Sequence, residues 1–296
     1  MVGRRRRCGR SRLSYKIAVH MTSLSKQYLD KVRMLLDTVE LQQDAIRQAA
    51  SWFSQTILAG RMVHVFGSGH SRIMVEEMWP RYGSFPGFNP IVELSLTFHN
   101  LVVGANGQRQ AMFLENVSGL APRILRNFDL SDRDSALVIS SGGCNLVPVE
   151  MAECLQKAGV KVVAIVTLQH ALESTSRRPD GKKLMDFADL VLDTGAPVGD
   201  AMVEVPGLET PVAPGSTVGG AAIVNSIKAE LAGMLTEAGR PPKVLTAGNK
   251  VGTQRATELF EAAYDEHAHR VAQLYARVGY PSYVSESMPG TRDDAL

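Results

Sequence analysis

After Gly60 the chain alternates short apolar runs rich in β-branched residues with longer stretches of helical periodicity, and this alternation narrows the fold more than any other feature. The runs fall at 62–66, 136–139, 161–167 and 190–192, and helices are predicted over 71–79, 145–158 and 219–238. The runs are apolar almost throughout, not on every second residue, so each strand is covered on both faces. A parallel sheet flanked by helices meets that demand. A further strand is expected near Ile91 or Leu101. Residues 194–218 carry four glycines and four prolines and read as a long loop, with a strand at 201–205. Loops of that size in α/β domains often carry function.

Upstream of the alternation, Tyr28, Val32, Leu35, Val39, Ile46, Ala49 and Phe53 keep a 3-4 spacing interrupted only at Gln42. The spacing predicts one long helix over 24–58, its stripe packed along another helix, of this chain or of a partner subunit. At the other end Phe260, Tyr264, His267, Val271, Leu274 and Val278 predict a closing amphipathic helix over 253–278. With no repeat and no low-complexity linker, one domain over 21–284 is expected, followed by a frayed tail over 285–296.

The net charge of +2 conceals an asymmetry. Residues 1–20 hold seven basic residues and no acid, which leaves 25 basic against 30 acidic residues downstream, a net −5. A broadly basic nucleic-acid-binding domain is therefore excluded. Three readings of residues 1–20 stay open: a transit peptide, a nucleic-acid-binding arm, or a disordered extension without function upstream of a start at Met21. The third is the working expectation. No apolar run approaches the ~18–20 residues of a membrane helix. Three cysteines without a C-x-x-C pair point to a reducing compartment, so the cytoplasm is expected.

Two turns carry the chemistry. In Val63-His64-Val65-Phe66-Gly67-Ser68-Gly69-His70-Ser71 a strand enters a Gly-Ser-Gly turn and then a helix, with Ser71 placed to cap it. Leu137-Val138-Ile139-Ser140-Ser141-Gly142-Gly143-Cys144-Asn145 repeats the construction. Such turns gather amide N–H groups at a helix N-terminus, which suits an anion such as a phosphate. One alone is equally a device for tight packing; two in one parallel sheet are more specific, because loops at the strands' carboxyl ends meet. Ala213-Pro214-Gly215-Ser216-Thr217-Val218 opens a third helix, where Ser216 or Thr217 serves as a plain cap or as a ligand hydroxyl. Neither main turn is a P-loop or a full dinucleotide fingerprint, so no cofactor is expected. No His or carboxylate spacing suits a metal, so none is expected there either.

These residues resemble the SIS (sugar isomerase) domain. Phe66-Gly67-Ser68-Gly69-His70-Ser71 is similar to its first loop, and residues 139–145 with 157–166 to its second loop and following strand. With Asn89-Pro90-Ile91 and Pro214-Gly215-Ser216-Thr217-Val218, the ensemble resembles a bacterial subfamily of phosphosugar-binding SIS proteins over roughly residues 24–280. The resemblance implies an α/β three-layer sandwich with a five-stranded parallel sheet of flavodoxin-like type, a homodimer, and a phosphorylated sugar as ligand. The pattern departs at one point. The usual loop reads Ser-x-Ser-Gly-x-Thr, whereas here Gly142 replaces the second serine and Asn145 the threonine.

Ser68, Gly69, His70, Ser71, Ser140, Ser141, Gly142, Gly143, Asn145, Ser216 and Thr217 are the expected phosphate and sugar ligands. Aldose–ketose isomerisation needs a general base near a carbon acid. Glu77 (or its neighbour Glu76), His99 and Glu115 are the candidates, each weighed against a solvated surface position. His70 suits anion binding; His267 reads first as a core histidine, and His170 as a further rim residue. Cys144 reads as a small loop residue. A phosphosugar isomerase is the leading expectation, with a non-catalytic sensor or a sugar-phosphate lyase or etherase as alternatives. Only about forty residues separate Met21 from the first strand, too few for a helix-turn-helix domain.

Overall fold

The structure, a computed structural model, describes residues 23–97 and 107–275. The chain begins with α1 (Leu24–Glu40) and α2 (Gln43–Leu58), enters β1 (Val63–Gly67), and passes a 3-10 turn at Gly69–Ser71 into α3 (Arg72–Met78). It continues through β2 (Phe88–Ile91), α4 (Gln108–Leu114), α5 (Leu120–Leu125) and β3 (Ser135–Ile139). Next come α6 (Leu146–Lys157), β4 (Lys161–Val166), α7 (Leu168–Glu173) and β5 (Leu190–Asp193). A hairpin of β6 (Ala201–Val203) and β7 (Val212–Pro214) leads into α8 (Ser216–Glu237), α9 (Gly248–Val251) and α10 (Thr253–Tyr275).

β1 to β5 form one parallel sheet in the order β2-β1-β3-β4-β5. The expected α/β sandwich with five parallel strands is thus the observed fold. Residue alternation along the strands explains its three layers. Val63, Val65, Leu137, Ile139, Val163, Ile165 and Leu192 join α2, α3, α8 and α10 in one core. Phe66, Ala136, Val138, Val162, Ala164 and Val166 join α5 and α6 in the other. The strand order reverses beside β1, where the chain turns to β2 on one side and crosses to β3 on the other. Loops leaving neighbouring strands diverge there and open a crevice at their carboxyl ends.

The amino-terminal end of the sheet is closed by charge. Arg61 grips Asp134 with Nε–Oδ1 at 2.8 Å and Nη2–Oδ2 at 2.7 Å, and also donates to the Asp129 carbonyl. Buried His64 of β1 lies with Nε2 3.5 Å from Asp134 Oδ2, and its Nδ1 pairs with Asn89 Nδ2 at 3.0 Å.

The single helix expected over 24–58 is broken at Leu41–Gln42. The lone polar residue of the stripe is the corner, and it has a partner far along the chain. Gln42 Nε2 donates to the Asp193 carbonyl at 2.8 Å and to the Thr38 carbonyl at 3.0 Å, while its Oε1 accepts the Asp193 N–H at 2.7 Å. A side-chain amide thus pairs like a peptide group with the end of edge strand β5. The stripe is buried within its own chain: Ile46, Ala49 and Phe53 share a core with Ile223, Ile227 and Leu231 of α8, and Leu35 packs on Met202 and Val203 of the hairpin. Replacing Gln42 by alanine strands both backbone groups of a half-buried residue, and we expect a loss of about 1–2 kcal/mol. Urea denaturation measures it; an unchanged midpoint refutes the pairing.

Of the two positions considered for an extra strand, Ile91 closes β2, while Leu101 lies outside the described residues. The strand expected over 201–205 is shorter and has an antiparallel partner, β7, that the proline-rich sequence hid. α8 starts at Ser216, three residues before its expected beginning, and Val278 lies outside the described part of the last helix. Among the described residues no helix is long and apolar enough to cross a membrane.

Candidate functional site

The loops after β1 and β3 open onto one cleft of about 450 Å³ at the carboxyl end of the sheet. Register explains why they meet: Gly67 and Ile139, the last residues of adjacent strands, are direct partners. A Cβ on Gly67 would lie 2.7 Å from the Ser71 carbonyl oxygen, so only glycine lets the first turn fold back this tightly. Ser68, Gly69, His70 and Ser71 line the cleft from this side; Ser140, Ser141, Gly142 and Asn145 line it from the other; Ser216 and Thr217 complete the far wall.

Glu115 ties the two loops together. It stands at the carboxyl end of α4, where Ser68 Oγ donates to its Oε2 and Asn145 Nδ2 donates to its Oε1, each at 2.8 Å. Its backbone carbonyl accepts the Val147 N–H of α6 at 2.9 Å. Burial pushes the Glu115 carboxyl above the ordinary glutamate range; the Ser68 hydrogen bond and the charge of Arg177 pull it back without cancelling the rise. A carboxyl so placed holds its proton to higher pH than an ordinary glutamate and faces the cleft from between two hydroxyl-rich turns.

Several expected residues take other places. Glu77 does not reach the cleft. Its Oε1 accepts from Asn225 Nδ2 of α8 at 2.8 Å, and Arg81 pairs with the other oxygen. Burial raises that carboxyl, but these two hydrogen bonds overrule it and hold the pKa below the ordinary range. The direction of α3 is fixed by burying Met74, Val75 and Met78, which turns residue 77 toward α8. His99 lies outside the described residues. Gly143 does not line the cleft: its φ of 56° makes the turn, and its N–H is spent on the Ser140 carbonyl at 3.1 Å. Ser71 stands at the start of α3 but makes no side-chain cap bond. His267 packs on Trp79, ring centroids 5.2 Å apart, remote from the cleft lining.

The plain cap at Ser216 is also replaced. Asp200, held at φ 69°, sends its carboxylate to the start of α8. Oδ1 accepts the N–H groups of Gly215 at 3.0 Å and Ser216 at 2.7 Å, and Oδ2 accepts the Ser216 hydroxyl at 2.8 Å. That helix terminus is already filled by an anion, and the Ser216 hydroxyl is committed to it. Sequence reasoning missed Asp200; its one local signal is the Gly199-Asp200 pair in a turn-rich segment. It also missed Gln108 and Met112, which line the cleft from α4. Their spacing with Glu115, four and seven residues from Gln108, places all three on one helix face and was available to be read. Among the described residues the lining holds Glu115, Asp200, His70 and His170 and no lysine or arginine.

The SIS domain family model matches residues 27–167, which span both loops and β4. A UPF0309 protein of Listeria innocua is 31% identical over 248 residues, 83% of this chain and 97% of that protein. A second, of Halalkalibacterium halodurans, is 33% identical over 220 residues, 74% of this chain and 88% of the relative. Among solved structures, a phosphoheptose isomerase from Francisella tularensis aligns with a TM-score of 0.46 and 17% identity, covering 71% of this chain and 98% of that one. Relatives that match at this identity along nearly their whole length, together with the SIS match across the two loops that form the cleft, place the chain in the UPF0309 family of SIS-domain proteins.

Proposed function

We propose that the cleft binds a phosphorylated sugar and that Glu115 moves a proton on it, in the manner of an aldose–ketose isomerase. One observation carries this reading: a carboxyl with a raised pKa, clamped by a hydrogen bond from each of the two turns that would hold the phosphate. Ser140, Ser141 and second-turn amides other than that of Gly143 receive the phosphate; Glu115, ionised, takes a proton from the hydroxyl-bearing carbon next to the carbonyl and returns it to the carbonyl carbon, while the hydroxyl proton passes to the former carbonyl oxygen through the enediol. Ser68 and Asn145 position the carboxylate. The acting unit in this reading is the domain over 21–284, in the cytoplasm and as a homodimer. Exposed Leu29, Met34 and Leu36 on α1, with Leu41 at its end, support the pairing.

Thermal denaturation with fructose 6-phosphate, glucose 6-phosphate and the free sugars tests binding. A ligand at a hundred times its Kd stabilises by about 2.7 kcal/mol, or roughly 5–10 °C in a domain of this size. The phosphorylated sugars are expected to shift the wild type, the free sugars are not, and Ser140→Leu removes the shift. No shift with any phosphosugar refutes the binding claim. Loss of deuterium from C2 of a bound aldose phosphate, or from C1 of a bound ketose phosphate, then separates an isomerase from a sensor.

A further inference from the structure

We propose that His170 is a phosphate ligand of this cleft, its imidazole standing in space that Gly142 leaves open. The assignment rests on the reading that the cleft takes a phosphosugar, and it names a residue that touches the anion. His170 lies on α7, just beyond the carboxyl end of β4, and lines the cleft. Its tautomer follows from its partner: the Gly199 N–H donates to Nδ1 at 3.3 Å, so Nδ1 carries no proton and Nε2 does. The ring therefore presents an N–H donor on the side away from the hairpin.

That side faces the second turn. A Cβ built on Gly142 would lie 3.5 Å from His170 Nε2 and 3.6 Å from its Cδ2. Gly142 is not demanded by the backbone, because its φ lies outside the left-handed region, whereas Gly143 beside it has φ 56°. Space explains it instead. A Cβ alone would make ordinary contact; atoms beyond it would compete with the imidazole for the mouth of the turn. A hydroxyl is absent at 142, and a ring N–H stands next to the place it would have held.

The chemistry favours a tetrahedral oxyanion as the occupant. Among the described residues the lining carries two carboxylates and no lysine or arginine, so the direct contacts to a phosphate come from hydroxyls, backbone amides and this imidazole, with the charge of Arg177 acting from outside the lining. The α8 terminus is closed to it by Asp200. A further N–H at the second turn thus counts for more here than it would beside a cation. Gly199 orients the ring and precedes Asp200, so one short segment places both the donor and the carboxylate that blocks the neighbouring helix.

The experiment is isothermal titration of the full chain with inorganic phosphate and with fructose 6-phosphate, comparing wild type with His170→Gln and His170→Leu. The two variants are close in volume, and only glutamine keeps an N–H at similar reach. H170L is expected to weaken both ligands about tenfold, the equivalent of one hydrogen bond to a charged group. H170Q is expected to stay within about threefold of wild type. Equal affinities in H170L and H170Q, each with the unliganded Tm of wild type, overturn the assignment. If wild type binds neither probe, the phosphosugar reading fails first and this assignment falls with it. Tight wild-type binding unchanged in H170L rejects His170 alone.

Discussion

Glu115→Gln is expected to abolish proton transfer while leaving the protein as stable as wild type, or more so, at neutral pH. Glutamine keeps the shape and still bridges the loops, because its carbonyl accepts from Asn145 and its amide donates to the Ser68 oxygen. It cannot accept a proton from carbon, so deuterium loss from a bound sugar phosphate should fall about 10²–10⁴-fold. The stability effect has a definite sign. Glu115 has its folded pKa raised by burial, so the stability it adds is full below the unfolded pKa and is lost as pH rises through the folded value. As pH rises wild type loses that contribution, whereas the variant has no charge to bury. The Tm of E115Q relative to wild type should therefore grow as pH rises and the difference should shrink on acidification. Undiminished exchange would move the base elsewhere; a large fall in Tm would make Glu115 only a structural clamp.

Asp134→Ala should cost about 3–5 kcal/mol, the usual result of removing one partner from a buried ion pair. Its side chain is 1% exposed and Arg61's is 14% exposed, so neither water nor a neighbouring carboxylate replaces the lost oxygens easily. Asp129 remains at 3.6 Å from Arg61, too far to compensate fully. Burial alone would raise the Asp134 pKa, but the nearby His64 ring and the Arg61 guanidinium hold it below the ordinary aspartate range. Its contribution is thus present above the unfolded pKa and lost as pH falls through the folded one. Wild type and D134A should differ most at neutral pH and converge in acid. Chemical denaturation at pH 7, and again in acid below the ordinary aspartate pKa, measures both halves. A loss below 1 kcal/mol at pH 7 would mean that solvent reaches the cluster.

The sheet was readable because its information is local. Each core strand is a continuous apolar run, and each glycine-serine turn announces itself in the residues that build it. Glu115 was readable as a candidate and not as a clamp, since Ser68 and Asn145 lie 47 and 30 residues away. The corner at Gln42 shows the limit more sharply. One polar residue on an apolar stripe looks like a tolerated gap until Asp193, 151 residues on, is known to meet it. Glu77 failed for a geometric reason. Periodicity allows one of two adjacent carboxylates to face a ligand but does not say which way the helix turns, and packing of Met74 and Met78 turned it to α8. Asp200 escaped because a cap was sought within its own helix, and the true cap arrives from a hairpin.

That hairpin stands apart from the five-stranded sheet and is held by α1 and the start of α8. Lys31 donates to the Met202 carbonyl and the Tyr28 hydroxyl to the Pro214 carbonyl at 3.1 Å, while Asp200 fastens the other edge to α8. The phosphate turns, by contrast, grow directly out of central strands. On the proposed phosphosugar reading this separates a grip from a gauge: the turns of the sheet meet the phosphate, and the hairpin, whose flanks at Asp200 and Pro214 line the cleft, meets whatever is attached to it. On that proposal, substitutions between residues 196 and 214 would alter sugar preference while leaving phosphate binding in place.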